Sequence, residues 1–126
     1  MKTNVVSELD ELKESLRLFS AERDWDKFHS PKNLAMALAV EASEIMEHFQ
    51  WLSESESANL DSRKSKAVSE ELADVFLYLI RLSDKLNIDL VSAANDKLEI
   101  NKTKYPVELV KGKSEKYTEY LRDDKK

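Results

Sequence analysis

An all-α fold is predicted by three features of the sequence. Breakers are scarce, with one glycine and two prolines in 126 residues. Apolar residues recur at helical rather than strand spacing nearly throughout. Residues suited to N-caps stand where that spacing restarts, at Ser30, Asp61 or Ser62, and Asp89. The architecture expected is a four-helix-bundle-like single domain over 1–126, because the length suits one core and is too short to divide comfortably into two.

Val5, Leu9, Leu12, Leu16 and Phe19 fall at alternating steps of four and three, drawing an apolar stripe along a first helix that fades near Arg23. The segment DWDKFH, Asp24 to His29, breaks the period and concentrates aromatics. Ser30-Pro31 then supplies an N-cap followed by proline at the first helical position, so a second helix is expected from about Pro31 to Leu52. SESESANLDS is polar and aperiodic and reads as a loop. Asp61 or Ser62 caps a third helix with Val68, Leu72, Val75, Leu79, Leu82 and Leu86 as its core stripe. Asn87 closes it, and Asp89 caps a fourth helix over about Leu90 to Lys104, ended by Lys104-Tyr105-Pro106. The tail, about 106–126, is charged with scattered aromatics and is expected to be partly extended over the surface or disordered at its end.

Composition removes several function classes. No cysteine is present, so disulfide and thiolate chemistry are excluded. No apolar run approaches the roughly 20 residues of a membrane span. Charges near the N-terminus replace the apolar core of a signal peptide, making the cytoplasm the expected compartment. A net charge of −5 argues against gripping a nucleic-acid polymer, which needs clustered Lys and Arg. It does not argue against a mononucleotide, whose phosphates are held by a metal ion bound to carboxylates.

The second helix carries the informative anomaly. At about 100° per residue, Leu34, Leu38 and Ile45 cluster on one side, and Glu41 falls inside their stripe. A carboxylate buried without a partner costs several kcal/mol or is neutralised, so this position calls for a cation, a hydrogen-bond partner or a metal. Glu44 follows at i+3 and Glu47 at i+6. The third helix repeats the device with Glu71 and Asp74. If the helices pack antiparallel, the two pairs converge into four oxygen donors, the hard anionic environment preferred by Mg²⁺ or Mn²⁺. No Lys or Arg lies between Lys32 and Arg63 to neutralise Glu41 and Glu44 from their own helix. Pairs such as Glu8 with Glu11 also arise on any solvated helix, so spacing alone leaves a metal site and a charged outer face both open.

Aromatics border the loops at both ends of the second helix: Trp25, Phe28 and His29 before it, and Phe49 and Trp51 at its far end. Each group is able to stack on a base or to close the edge of the core. Tyr78, one turn after Asp74, offers a hydroxyl to the same region. His29 and His48 lack zinc-ligand spacing; His29 reads as a hydrogen-bond donor or phosphate contact, and His48 as an ordinary helical residue. No glycine-rich phosphate loop or nucleophile elbow is present.

Taken in order, AERDWDKFH, the helix bearing Glu41-x-x-Glu44, FQW, EELADVFLYL with Glu71-x-x-Asp74, INKTKYP and the final KY resemble the MazG-like nucleotide pyrophosphohydrolases, especially the dCTP pyrophosphatases. The likeness runs from about Leu16 to Tyr117, and the ordered set is far more specific than any single motif. It implies an all-α bundle assembled as a dimer or a dimer of dimers. It further implies Mg²⁺-dependent hydrolysis of a (deoxy)nucleoside triphosphate to the monophosphate and pyrophosphate. Glu41, Glu44, Glu71 and Asp74 match the family's metal ligands. Trp25, His29, Trp51 and Tyr78 match positions lining the nucleoside pocket, and Asn101 and Lys104 match the polar motif tied to the phosphate end. Val40 and Ser43 stand where close relatives carry an acid or glycine, and Lys104 stands where arginine is frequent, which removes a bidentate phosphate contact. These departures bear on base preference and efficiency.

On this reading the attacking water is activated at the metal, with Glu44 the first candidate general base and Glu47 the second. Two other readings keep the helices: a hydrolase of another nucleotide, phosphoribosyl or modified, and a non-catalytic helical dimerisation module.

Overall fold

The computed structural model describes residues 7–114 and residue 118. Val5, Tyr117 and most of the expected tail lie outside the described residues. Within them the chain is helical and contains no strand. Four long helices occur where the sequence places them: α1 (Glu8–Glu22), α2 (Pro31–Phe49), α4 (Ser62–Lys85) and α5 (Leu90–Lys104). Two single-turn helices, α3 (Glu54–Ser57) and α6 (Val107–Val110), were not expected. The chain divides into two compact units, Met1–Ile88 and Asp89–Lys126. The first holds α1 to α4, and the second holds α5 and α6.

The caps explain the boundaries. The hydroxyl oxygens of Ser7 and Ser30 accept the amides of Asp10 and Asn33, each at 3.1 Å. The carboxylates of Asp61 and Asp89 accept those of Lys64 at 2.7 Å and Ser92 at 3.0 Å. The polar stretch after α2 forms α3 because Ser53 and Glu56 complete a capping box, the hydroxyl taking the Glu56 amide and the carboxylate taking the Ser53 amide. Helices α1 and α4 both close through a residue in the left-handed region, Asp24 at φ 53° and Asn87 at φ 54°. In each closure the next amide bonds back to the last turn, Trp25 to the Ser20 carbonyl and Ile88 to that of Ser83, both at 2.9 Å. The first closure turns the chain into a 3-10 turn, Asp26–Phe28, and delivers Trp25 and His29 to one side of the unit.

Within the first unit α4 is the central element, packed mainly on α2 and secondly on α1. Its buried apolar residues are Val68, a member of the expected stripe, and Ile80, which was not in it, and Leu34 of α2 is only 1% exposed. Burying one such leucine contributes roughly 1.5–3 kcal/mol. Two members of the expected α4 stripe depart from it: Leu72 and Leu86 are 54% and 47% exposed. Val75, Leu79 and Leu82 of the same stripe are half-buried, whereas Leu72, one turn along from Val68 on the same face, is left uncovered, as is Phe76 one turn further. Helix α2 is also shorter than expected, so Trp51 and Leu52 follow it instead of ending it. Among the described residues, no helix is long and apolar enough to cross a membrane.

Candidate metal and nucleotide site

The packing of α2 against α4 sets Glu41 and Glu44 opposite Glu71. One carboxylate oxygen from each lies within 4.8 Å of the other two, and all three residues are half-buried. Glu41 Oε2 and Glu71 Oε2 are shielded from solvent and have no hydrogen-bond partner. Burial, followed by hydrogen bonding and charge from Glu44, pushes the Glu41 carboxyl up to about 7. Glu71 is raised too, first by hydrogen bonding to Glu44 and then by burial and the charges of Glu44 and Asp74, with His48 acting against the rise. Three carboxylates crowded together with two orphaned oxygens form an unfavourable arrangement unless a cation or a shared proton joins them. Their hard oxygen donors fit a divalent metal ion, and the cluster is able to hold one.

Asp74 is exposed and stays outside this three-residue group, though its charge acts on both Glu41 and Glu71. It also lines a neighbouring cavity of about 200 Å³ together with Trp25, His29, Tyr78, Phe19 and Arg81. That volume suits a single heterocyclic base and is below the roughly 300 Å³ at which pockets for larger ligands begin. Trp25 is 44% exposed and meets Phe19 edge to face, with centroids 5.6 Å apart. Half of its surface is therefore available for stacking. Asp74 thus joins the carboxylate cluster to an aromatic cavity on the same unit.

Arg81, which the sequence reading passed over, forms the floor of this region and is only 6% exposed. It pairs with Asp26 of the 3-10 turn and with Asp84 at 3.8 Å, and its Nε donates to His29 Nδ1 at 3.2 Å. Ser20, itself buried, brings its Oγ to 3.4 Å from the same nitrogen. Arg17 holds Asp84 from α1 at 2.6 Å, and Lys85 holds Asp26 at 2.6 Å. These cations keep both carboxyls below the usual range, Lys85 acting first on Asp26 and Arg17 first on Asp84. His29 is lowered by burial and then by the Arg81 charge. The signal was present in the sequence: a lone arginine inside LYLIRL, three residues after Tyr78, must find a counter-charge. DWDKFH supplies one.

The remaining expected residues are spread more widely. Glu47 is exposed and outside the carboxylate group. Trp51, 87% exposed, does not line the cavity that holds Trp25, His29 and Tyr78. Asn101 and Lys104 belong to the second unit, on the last turn of α5, and are half-buried there. His48, expected to be an ordinary helical residue, faces the cluster closely enough for its charge to act on Glu71.

The fold and the site define a helical protein whose acidic centre, able to hold a divalent cation, adjoins a base-sized aromatic cavity. Residues 36–120 match the model of the MazG-like family. The chain belongs to that family. It is 43% identical over 103 residues to the human dCTP pyrophosphatase 1, covering 80% of this chain and 61% of the relative. It is 42% identical over 106 residues to the mouse dCTP pyrophosphatase 1, covering 82% and 62%. The chain therefore spans about three fifths of the length of these curated relatives. A pyrophosphatase from Archaeoglobus fulgidus superposes with a TM-score of 0.78 at 38% identity, over 84% of this chain and 99% of that one.

Proposed function

We propose that the protein is a cytoplasmic nucleoside triphosphate pyrophosphohydrolase. It takes dCTP or a related deoxynucleoside triphosphate to the monophosphate and pyrophosphate with Mg²⁺, Mn²⁺ serving as a substitute. The observation that carries this reading is the cluster of Glu41, Glu44 and Glu71, with two orphaned oxygens, beside a cavity of about 200 Å³ lined by Trp25, His29 and Tyr78. Similarity to the dCTP pyrophosphatases supports the choice of base and reaction.

Glu41, Glu44, Glu71 and Asp74 would hold the metal, which supplies charge neutralisation at the phosphates and an acidified water. Trp25 stacks on the base, while His29 and Tyr78 meet its polar edge, leaving the phosphates on the Asp74 side. Glu44 accepts the proton of the attacking water, and Glu47, exposed on the next turn, is the second candidate. Asn101, Lys104 and Trp51 are assigned to the phosphates and the outer face of the nucleoside by their match to the family motif.

We also propose a homodimer or homotetramer. Met36, Val40 and Met46 of α2 and Leu72 and Phe76 of α4 are between 44% and 61% exposed. A self-associating surface accounts for so many apolar side chains outside the core.

The test is product analysis on the four standard deoxynucleoside triphosphates, their ribose counterparts and 5-substituted dCTPs, with Mg²⁺ and with EDTA. Metal-dependent appearance of monophosphate and pyrophosphate is expected, with cytosine nucleotides ranked first. No turnover anywhere in the panel would refute the assignment.

A further inference from the structure

Arg81 is only 6% exposed, and its contacts go beyond its ion pairs. Asp26 and Asp84 already balance its charge, and both also pair with cations of their own, Lys85 and Arg17. The Nε hydrogen takes part in neither pair and is directed at His29 Nδ1 at 3.2 Å. Arginine has five donors and no acceptor, so this contact exists only if Nδ1 carries a lone pair. The Ser20 hydroxyl, 3.4 Å from the same atom, both donates and accepts and so is compatible with that lone pair. An imidazolium there would have no lone pair to offer and would face a like charge. A neutral ring with Nδ1 unprotonated must carry its proton on Nε2. His29 lines the cavity with Trp25, Tyr78 and Asp74, so the tautomer decides the hydrogen-bonding character of that wall.

We propose that Arg81 is a positioning residue that locks His29 in its neutral Nε2–H tautomer, so that the cavity offers a donor and selects a base edge bearing a hydrogen-bond acceptor. The selection half rests on the nucleotide reading above; the tautomer half does not. A neutral donor suits a carbonyl oxygen or an unprotonated ring nitrogen, such as those on the Watson–Crick edge of cytosine, and rejects an edge that presents only donors. Burial and the Arg81 charge, which hold the imidazole below its ordinary range, act in the same direction.

The test uses the full chain labelled with ¹⁵N in its imidazole rings. Only His29 and His48 contribute, and His48→Gln assigns them. Long-range ¹H–¹⁵N correlation at about pH 7.5 is expected to show His29 with a pyridine-type Nδ1 and a protonated Nε2. Arg81→Lys retains the charge without the directed Nε–H. It is expected to keep the helical circular dichroism, populate the second tautomer, and raise KM for dCTP about tenfold with kcat little changed, the loss of one hydrogen bond. A purely structural arginine would move stability and leave the ring spectrum alone. Finding wild-type His29 as imidazolium or as the Nδ1–H tautomer overturns the proposal, with no variant needing to fold. An unchanged spectrum and KM in Arg81→Lys also overturns it. Absence of turnover with a correct wild-type tautomer sinks the nucleotide reading and leaves the role of Arg81 standing.

Discussion

Replacing Glu41 by glutamine is expected to change stability in opposite directions with and without metal. In metal-free protein the Glu41 carboxyl stands at about 7 in place of 4.5, so the folded chain holds this proton more tightly than the unfolded one. Its contribution to stability is in full below about pH 4.5 and is lost as pH rises through about 7. At full strength the difference is about 3 kcal/mol. One oxygen is shielded but the residue is only half-buried, so solvent screening reduces this to about 1–2 kcal/mol. For a chain of this size that corresponds to roughly 3–10 °C in melting temperature. In EDTA at pH 8, Glu41→Gln should therefore melt higher than wild type, and the gap should close towards pH 5. His29, lowered by burial and the Arg81 charge, runs the other way: its contribution to stability is present above about 6.5 and is lost as pH falls. Comparing the variant with wild type at each pH cancels that term. With Mg²⁺ at about a hundredfold its Kd, wild type should gain about 2.7 kcal/mol and the variant little of it, reversing the order. The assay is thermal unfolding across pH with and without Mg²⁺. A variant less stable than wild type in EDTA at pH 8 would refute the reasoning.

Glu47→Gln should leave Mg²⁺ stabilisation intact, because Glu47 lies outside the carboxylate group; a loss of kcat above about a hundredfold would transfer the role of general base from Glu44 to Glu47. Trp25→Ala should raise KM for nucleotides roughly tenfold or more with the circular dichroism unchanged, consistent with a stacking contribution of about 1–3 kcal/mol. Leu34→Ala, at the most shielded position of α2, should cost about 2–5 kcal/mol in denaturant unfolding, and a loss below about 1 kcal/mol would show that α2 and α4 are not held together there.

Much of the fold was legible because it is written in short-range signals. Ser30-Pro31, Asp61, Asn87 and Asp89 mark helix ends through local hydrogen bonds and backbone preferences, and each stands at a boundary in the structure. The helix α3 was missed because a one-turn helix has no apolar period, although its capping box, Ser53 with Glu56, was readable. The exposure of Leu72 and Leu86 has a different cause: periodicity shows that α4 has an apolar face but not which stretches of that face its neighbours cover. The same distinction holds at the site. Glu41 was conspicuous as a charge inside an apolar stripe, and its neighbours Glu44 and Glu71 converge with it. Arg81 was equally anomalous, but its meaning depends on Asp26 and His29, which lie 55 and 52 residues away. Trp51 and Trp25 are alike in sequence as loop-bordering aromatics, and only the three-dimensional arrangement separates a cavity wall from an exposed ring.

The most direct test of the central claim is to follow hydrolysis of dCTP with Mg²⁺ in ¹⁸O-labelled water, in wild type and in Glu71→Gln. Attack at the α-phosphorus predicts one labelled oxygen in the monophosphate, none in pyrophosphate, and turnover lost in the variant. Label in orthophosphate or pyrophosphate, or full turnover by Glu71→Gln, would contradict the account.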